Sequence, residues 1–384
     1  MKIFYITHTF NLEPKGGGGE IFCNNLLREL LKKGHEIFVF TPYTDHSARL
    51  PKGLRVYYSR AIGHHAFHKF QYLLNARRAV ELARKFNPDV VHAQNDVFPA
   101  LIGKKIKKAL GVPLLAGVEY LSEEGQSLNA KAFFLLNKWL LKGTGFDLLV
   151  SMSTHNIEKY LLKWGIPRKK IKMIPNGVDT EKFTPKKRAP GLLEKYGPHL
   201  IISLKPLHST NVKGISLIVR AMKSIAEKHP EYKYLIFGGG RGKKELFRLA
   251  EKLGLEKNVF FLERVPYEST PRIYGSAEIM VHSFAFEATA SMSLLDSMAS
   301  GNAIIATDTG EIKNVVGNAA LLVKPRSVEA IADAMEKYIQ SKKLREEKSK
   351  RARGLAVKKY SIKTVASEFE KAYTKIISAQ AKKS

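Results

Sequence analysis

Two lysines eight positions apart, Lys205 and Lys213, flank the segment that joins an apolar run at 200–204 to a helical pattern starting at 215. That puts Lys205 just after a strand and Lys213 just before a helix, both at the carboxyl edge of a sheet. Ammonium groups converging there can hold a diphosphate and stabilise it as it departs. The plainer reading is two solvated lysines in a basic chain. A glycine run at 16–19 sits between a strand-like run at 2–8 and a helical pattern at 20–33. Its amides can approach a ligand closely, and a helix start favours an anion. No Gly-Lys-Ser/Thr follows it, and its spacing is not a dinucleotide fingerprint. Glu287 and Asp296 are the only carboxylates in the stretch 282–301, HSFAFEATASMSLLDSMASG. A carboxylate there can stabilise positive charge developing on a sugar ring, or bind hydroxyls. The plainer readings are a helix-start charge for Glu287 and a surface helix position for Asp296. His92, His208 and His282 lack metal-ligand spacing, and no nucleophile elbow with a Ser/His/Asp order appears.

These residues need elements to hold them. Strand-like runs at 2–8, 37–40, 90–92, 112–118 and 148–151 alternate with helical spacing at 20–33, 98–110, 130–141 and 155–164. A second set follows: strands at 200–204, 234–237, 259–262, 279–282 and 303–306, with helices at 215–228 and 243–253. Such alternation means parallel sheets with helices on both faces, so the fold class is α/β with two doubly wound Rossmann-like domains. Pro175, Pro185, Pro190, Gly191 and Pro198 cluster between the two sets beside Lys186, Lys187 and Arg188, a linker composition. The expected domains are 1–188 and 189–358, with a helix and tail at 359–384 returning to the first domain. Two such sheets put a cleft between the carboxyl edges of their strands, where these folds bind ligands.

With 384 residues, 44% hydrophobic, the chain is long enough for two cores and too apolar for wholesale disorder. One cysteine, Cys23, excludes an internal disulfide framework. The start, MKIFYITHTF, reads as a strand rather than a signal segment, and no run of about 18 apolar residues exists. The expectation is a soluble cytoplasmic protein. Its 64 Lys and Arg against 35 acids give a net charge of +29, divided as +16 over residues 1–200 and +13 over 201–384. An excess so evenly spread is not a nucleic-acid tail, and no zinc spacing or aromatic RNA-binding signature accompanies it. Phosphorylated ligands and an anionic membrane surface remain, together with plain surface charge. Residues 66–86 and 104–108, which mix Lys and Arg with Phe, Tyr and Leu, suit contact with anionic lipid at the inner membrane face.

Several segments in series resemble the retaining glycosyltransferases of family 4, which have the two-domain GT-B fold. They are GGGGEIFCNNLLRELLKKGHEIFVFT (16–41), IPNGVDTEKFTP (174–185), VKGISLIVRAM (212–222), LIFGGGRGKKELFRLAEKLGLEKNVFFLERVP (235–266), SLLDSMASGNAIIATDTGEIKNVVG (293–317) and ALLVKPRSVEAIADAM (320–335). The resemblance implies a nucleotide-sugar donor, linked to UDP or GDP and held by the second domain, and a glycan or lipid-linked acceptor against the first. It implies no metal and no cofactor besides the donor. Carried over, Lys213 and Lys205 hold the diphosphate, Glu287 faces the donor sugar, and Asp296 binds the ribose. Gly18 and Gly19 lie near the phosphates, and Arg264 and Val265 border the base. The chain departs from the family pattern at three places. Lys205 stands where an arginine is usual, Asp296 falls nine rather than eight positions after Glu287, and Glu119 stands where a histidine is common. Glu119 is accordingly an acceptor-side or catalytic candidate. The spacing departure motivates an alternative, a nucleotide-sugar or glycan-binding protein without turnover. A sugar-nucleotide epimerase is a third reading, disfavoured by the Pro-Asn-Gly-Val-Asp segment.

Overall fold

The computed structural model describes residues 1–8, 10, 17–42, 50–59, 73–95, 97–119, 121, 128–284 and 291–382. The chain divides into two compact units, Met1–Gly177 with Ile362–Ser384, and Val178–Ser361. The chain therefore changes unit after Gly177 and again after Ser361, whereas the sequence expectation put these points after 188 and 358.

Among the described residues, the first unit has seven strands: β1 (Lys2–Ile6), β2 (Glu36–Thr41), β3 (Leu54–Tyr58), β4 (Val90–Ala93), β5 (Leu114–Val118), β6 (Leu148–Ser151) and β7 (Ile171–Met173). They form one parallel sheet in the order β3-β2-β1-β4-β5-β6-β7, with Ile3 in register with Ile37 on one side and Val90 on the other. Strands β1, β4 and β5 are nearly all apolar because helices cover both faces of the sheet. The helix Gly18–Lys32 buries Ile21, Phe22, Leu26, Leu27 and Leu30, and the chain leaves it through Gly34 at φ 84°. Edge strands β3 and β7 carry weak sequence signals. Three of the five residues of β3 are half-buried, and β7 is only three residues long.

The helix Ile362–Ala381 belongs to this first unit. It buries Val365, Ala366, Phe369, Ala372, Tyr373 and Ile376 and lies against the helix Gly18–Lys32. Phe369 meets Phe22 at 6.3 Å and stacks on His92 at 5.2 Å. Glu370 pairs with Lys33 and His35, each at 2.7 Å, and Glu368 with Lys172 at 2.9 Å.

The second unit repeats the plan. Strands β8 (Leu200–Leu204), β9 (Lys233–Phe237), β10 (Val259–Leu262), β11 (Ile279–His282), β12 (Ala303–Thr307) and β13 (Ala320–Val323) pair in parallel in the order β10-β9-β8-β11-β12-β13. The helix after β8 runs Ser209–Lys228, six residues earlier than its apolar spacing suggests, so Lys213 lies inside the helix rather than before it. The helix Lys342–Lys359 buries Ala352 and Ala356, and Arg353 donates to the carbonyls of Phe183 at 2.6 Å and Thr180 at 2.9 Å. Among the described residues no helix is long and apolar enough to cross a membrane.

Truncating Phe369, buried against the rings of Phe22, His92 and Tyr373, is expected to cost about 3–5 kcal/mol. Urea unfolding of Phe369→Ala measures this. Arg55→Ala, on the half-exposed edge strand β3, is expected to stay within about 1 kcal/mol of the parent.

Candidate functional site

In a doubly wound sheet the crevice opens where neighbouring strands send their connections to opposite faces. In the second unit that point lies between β8 and β11. Lys205 follows β8 directly and is only 6% exposed. Its Nζ donates to the Ser283 carbonyl at 3.1 Å and sits 3.4 Å from the centre of the Phe284 ring. Burial pulls its pKa down to about 7. The fully buried imidazole of His282 is pushed well below its ordinary value, first by burial and then by the Lys205 charge.

Two close backbone approaches pack the strand ends at this point. A Cβ on Gly214 would fall 2.3 Å from the Ser283 oxygen, and one on Gly238 would fall 1.9 Å from the Lys205 oxygen. The helix carrying Lys213 and the loop after β9 are thereby pressed onto the ends of β11 and β8. Lys213, next to Gly214, is exposed. Across the crossover, Ser291 caps the helix Met292–Ser300 through the Leu294 amide, and its hydroxyl lies 3.3 Å from His282 Nε2. The two lysines expected at the carboxyl edge of β8 are both there. Glu287 lies outside the described residues.

Asp296 is not the surface position its plainer reading gives. It is 3% exposed and accepts from the Tyr267 hydroxyl at 3.2 Å. Burial raises its carboxyl well above the usual range, with Tyr267 and Lys182 acting in the opposite direction. Tyr267 in turn lies under the Lys182 ammonium at 4.4 Å and against Phe183 at 5.5 Å. The exposed Arg264 and half-buried Val265 precede Tyr267 on the same loop.

The first unit has its own edge, at the crossover between β1 and β4. Glu119 follows β5, and its Oε1 accepts from Asn95 Nδ2 at 2.6 Å and Gln94 Nε2 at 3.1 Å. Asn95 holds a left-handed φ of 89°, a conformation asparagine tolerates better than most residues, and its Oδ1 accepts from the Thr7 hydroxyl. The ends of β1, β4 and β5 thus converge on one carboxylate. Gly18 and Gly19 open the helix after β1, so that anion-favouring terminus belongs to this edge. The sequence reading named Glu119 but missed Thr7, Gln94 and Asn95. The available signal was the polar run Gln94-Asn95-Asp96 directly after an apolar strand. Among the described residues no group of three or more His, Cys, Asp or Glu side chains is arranged to hold a metal.

Each unit matches a protein family. Residues 16–182 match Glycosyltransferase Family 4, and residues 190–355 match Glycosyl transferases group 1. The chain belongs to the family 4-like glycosyltransferases. It is 23% identical to the alpha-monoglucosyldiacylglycerol synthase of Streptococcus pneumoniae, over 83% of this chain and 74% of that one. Among solved structures, the sucrose-phosphate synthase of Thermosynechococcus elongatus superposes with a TM-score of 0.81 at 19% identity, over 98% of this chain and 99% of that one. HepE of Anabaena, solved in complex with UDP-glucose, gives 0.74 at 16% identity over 98% and 100%. The architecture of this glycosyltransferase is therefore GT-B.

Lys205 gives a pH signature. Its folded pKa of about 7 lies below the unfolded value near 10.5, so the unfolded chain binds more protons between these limits. The unliganded protein should therefore gain stability from this group as pH rises from about 7 to 10. Lys205→Met should remove that gain, which thermal unfolding of both proteins across the range measures.

Proposed function

We propose that this glycosyltransferase moves a hexose from a nucleotide-diphosphate sugar to a hydroxyl of a glycan or lipid-linked acceptor, with retention at the anomeric carbon and without a metal ion. The observation that carries the reading is the buried ammonium of Lys205 at the β8–β11 crossover, where its described contacts are a carbonyl and a ring rather than a carboxylate. A diphosphate supplies a counter-charge to such a group and restores its full protonation. Exposed Lys213 completes the grip and neutralises charge on the departing diphosphate. Glu287 is assigned to the donor sugar, Asp296 to the ribose through its place beside Tyr267, and Arg264 and Val265 to the base. Glu119 is assigned to the acceptor hydroxyl, as the carboxylate that orients it or takes its proton. The known complex of HepE with UDP-glucose supports a UDP-linked donor.

A lipid-linked acceptor is favoured by a separate feature. The helices Val97–Leu110 and Leu128–Gly143 lie side by side and contain no acidic residue. Leu135 and Trp139, one turn apart on the second of them, are 62% and 75% exposed, with Lys138 and Lys142 exposed beside them. Lys142 also lies beside the turn at Gly165, next to exposed Leu162 and Lys163. Tryptophan and leucine ringed by lysine suit the headgroup boundary of an anionic bilayer. This face carries the membrane contact of the proposal. Of residues 66–86, residues 66–72 lie outside the described residues, and the helix Ala76–Phe86 buries Ala76, Ala79, Ala83 and Phe86. The proposal places the enzyme in the cytoplasm, peripheral at the inner membrane face.

Thermal protection by UDP-glucose, GDP-mannose and ADP-glucose, followed by release of the nucleoside diphosphate, tests the donor reading. Lys213→Ala should keep the fold and lower kcat by about 10²–10³-fold. No protection and no release with any of the three would overturn the reading. Sedimentation with vesicles containing phosphatidylglycerol, set against pure phosphatidylcholine, tests the surface. Trp139→Ser with Leu135→Ser should abolish the anionic-vesicle binding, and unchanged binding would remove this face from the proposal.

A further inference from the structure

The grip on Glu119 continues into the protein. The amide oxygen of Gln94 lies 2.9 Å from His92 Nε2, and His92 Nδ1 lies 2.7 Å from the Tyr373 hydroxyl. A carboxylate only accepts, so Gln94 turns its NH₂ toward Glu119 and its oxygen toward His92. An amide oxygen also only accepts, so His92 carries its proton on Nε2. Nδ1 is then left to accept from Tyr373. The direction of each bond is fixed by the one before it. His92 is fully buried, with Tyr5 at 4.6 Å, Phe369 at 5.2 Å and Tyr373 at 5.7 Å around its ring. Burial holds it neutral, with a pKa of about 3. A glutamine in the middle cannot pass a proton, so this chain orients and does not conduct. Room for the Gln94 amide exists only because residue 117 is glycine, since a Cβ there would fall 2.1 Å from its oxygen.

We propose that Tyr373 is a positioning residue for the transfer reaction, fixing through His92 and Gln94 the orientation of the Glu119 carboxylate at the end of β5. The inference rests on the assignment of Glu119 to the acceptor hydroxyl. Without the Tyr373 hydroxyl, Nδ1 loses its donor and the imidazole is hydrogen-bonded through Nε2 alone. The ring then shifts, the acceptor side of the Gln94 amide loses its fixed partner, and the Gln94 hydrogen bond to Glu119 is lost. The last helix of the chain thereby acts on a side chain two hydrogen-bonded residues distant, without touching substrate.

Crystal structures and kinetics of Tyr373→Phe test this, with UDP-glucose as donor and octyl glucoside as acceptor. The Glu119–Gln94 bond should be lost. Transfer should fall about tenfold or more, the scale of a misplaced reacting group, while UDP-glucose hydrolysis and donor KM stay within about twofold. Gly117→Ala, which displaces Gln94 from another strand, should give the same split. Ile376→Ala, one turn along the same buried helix face, should lower stability and leave the ratio of transfer to hydrolysis unchanged. In a Glu119→Gln background, Tyr373→Phe should add no further loss. Glu119 found in place with both bonds in Tyr373→Phe would overturn the inference, as would losses that multiply in the double variant. Full transfer by Glu119→Gln would instead remove the assignment of Glu119 itself, and Tyr373 with it.

Discussion

A parallel sheet covered by helices on both faces has water only at its ends. Every polar side chain that enters such a sheet must find a partner inside or sit at an edge, and at an edge the connections decide how much room it has. In both units the strands on either side of one crossover send their chains apart, β1 from β4 and β8 from β11, so space opens only there. Chemistry-bearing residues gather at those two points because the central strands of each sheet are filled with apolar side chains at or near zero exposure.

The two edges handle charge differently. At β8–β11 a cation is buried against a carbonyl and a ring, which lowers its pKa and leaves it ready for an anion. At β1–β4 an anion is half-exposed and gripped by two side-chain amides, with Thr7 bracing one of them. The first arrangement favours gaining a charged ligand. The second favours holding a carboxylate still. Together these two properties are what transfer from a diphosphate donor to a hydroxyl demands.

Much of this was legible in the residues. Apolar runs such as 200–204 and 148–151 coincide with β8 and β6, since a strand buried on both faces must be apolar throughout. Lys205 could be placed at a strand end from its position alone. The apolar spacing places the start of the helix carrying Lys213 too late, because Ser209 to Gly214 carry little apolar signal, and the close approach of Gly214 to Ser283 leaves no period in the sequence. Strand β7 escaped because three residues are too few to show a period.

The sequence by itself determined the two α/β repeats, the family to which they belong and the lysines after β8, since these depend on local hydrophobic order and on the series of motifs. It could not place Asp296, whose burial beneath Tyr267 depends on a loop from another strand. Nor could it join Tyr373 to His92 across 281 residues of separation. That contact exists because the last helix returns to the first unit and buries one face there. Hydrogen bonds between distant segments leave no period in the sequence, so only the folded chain decides them.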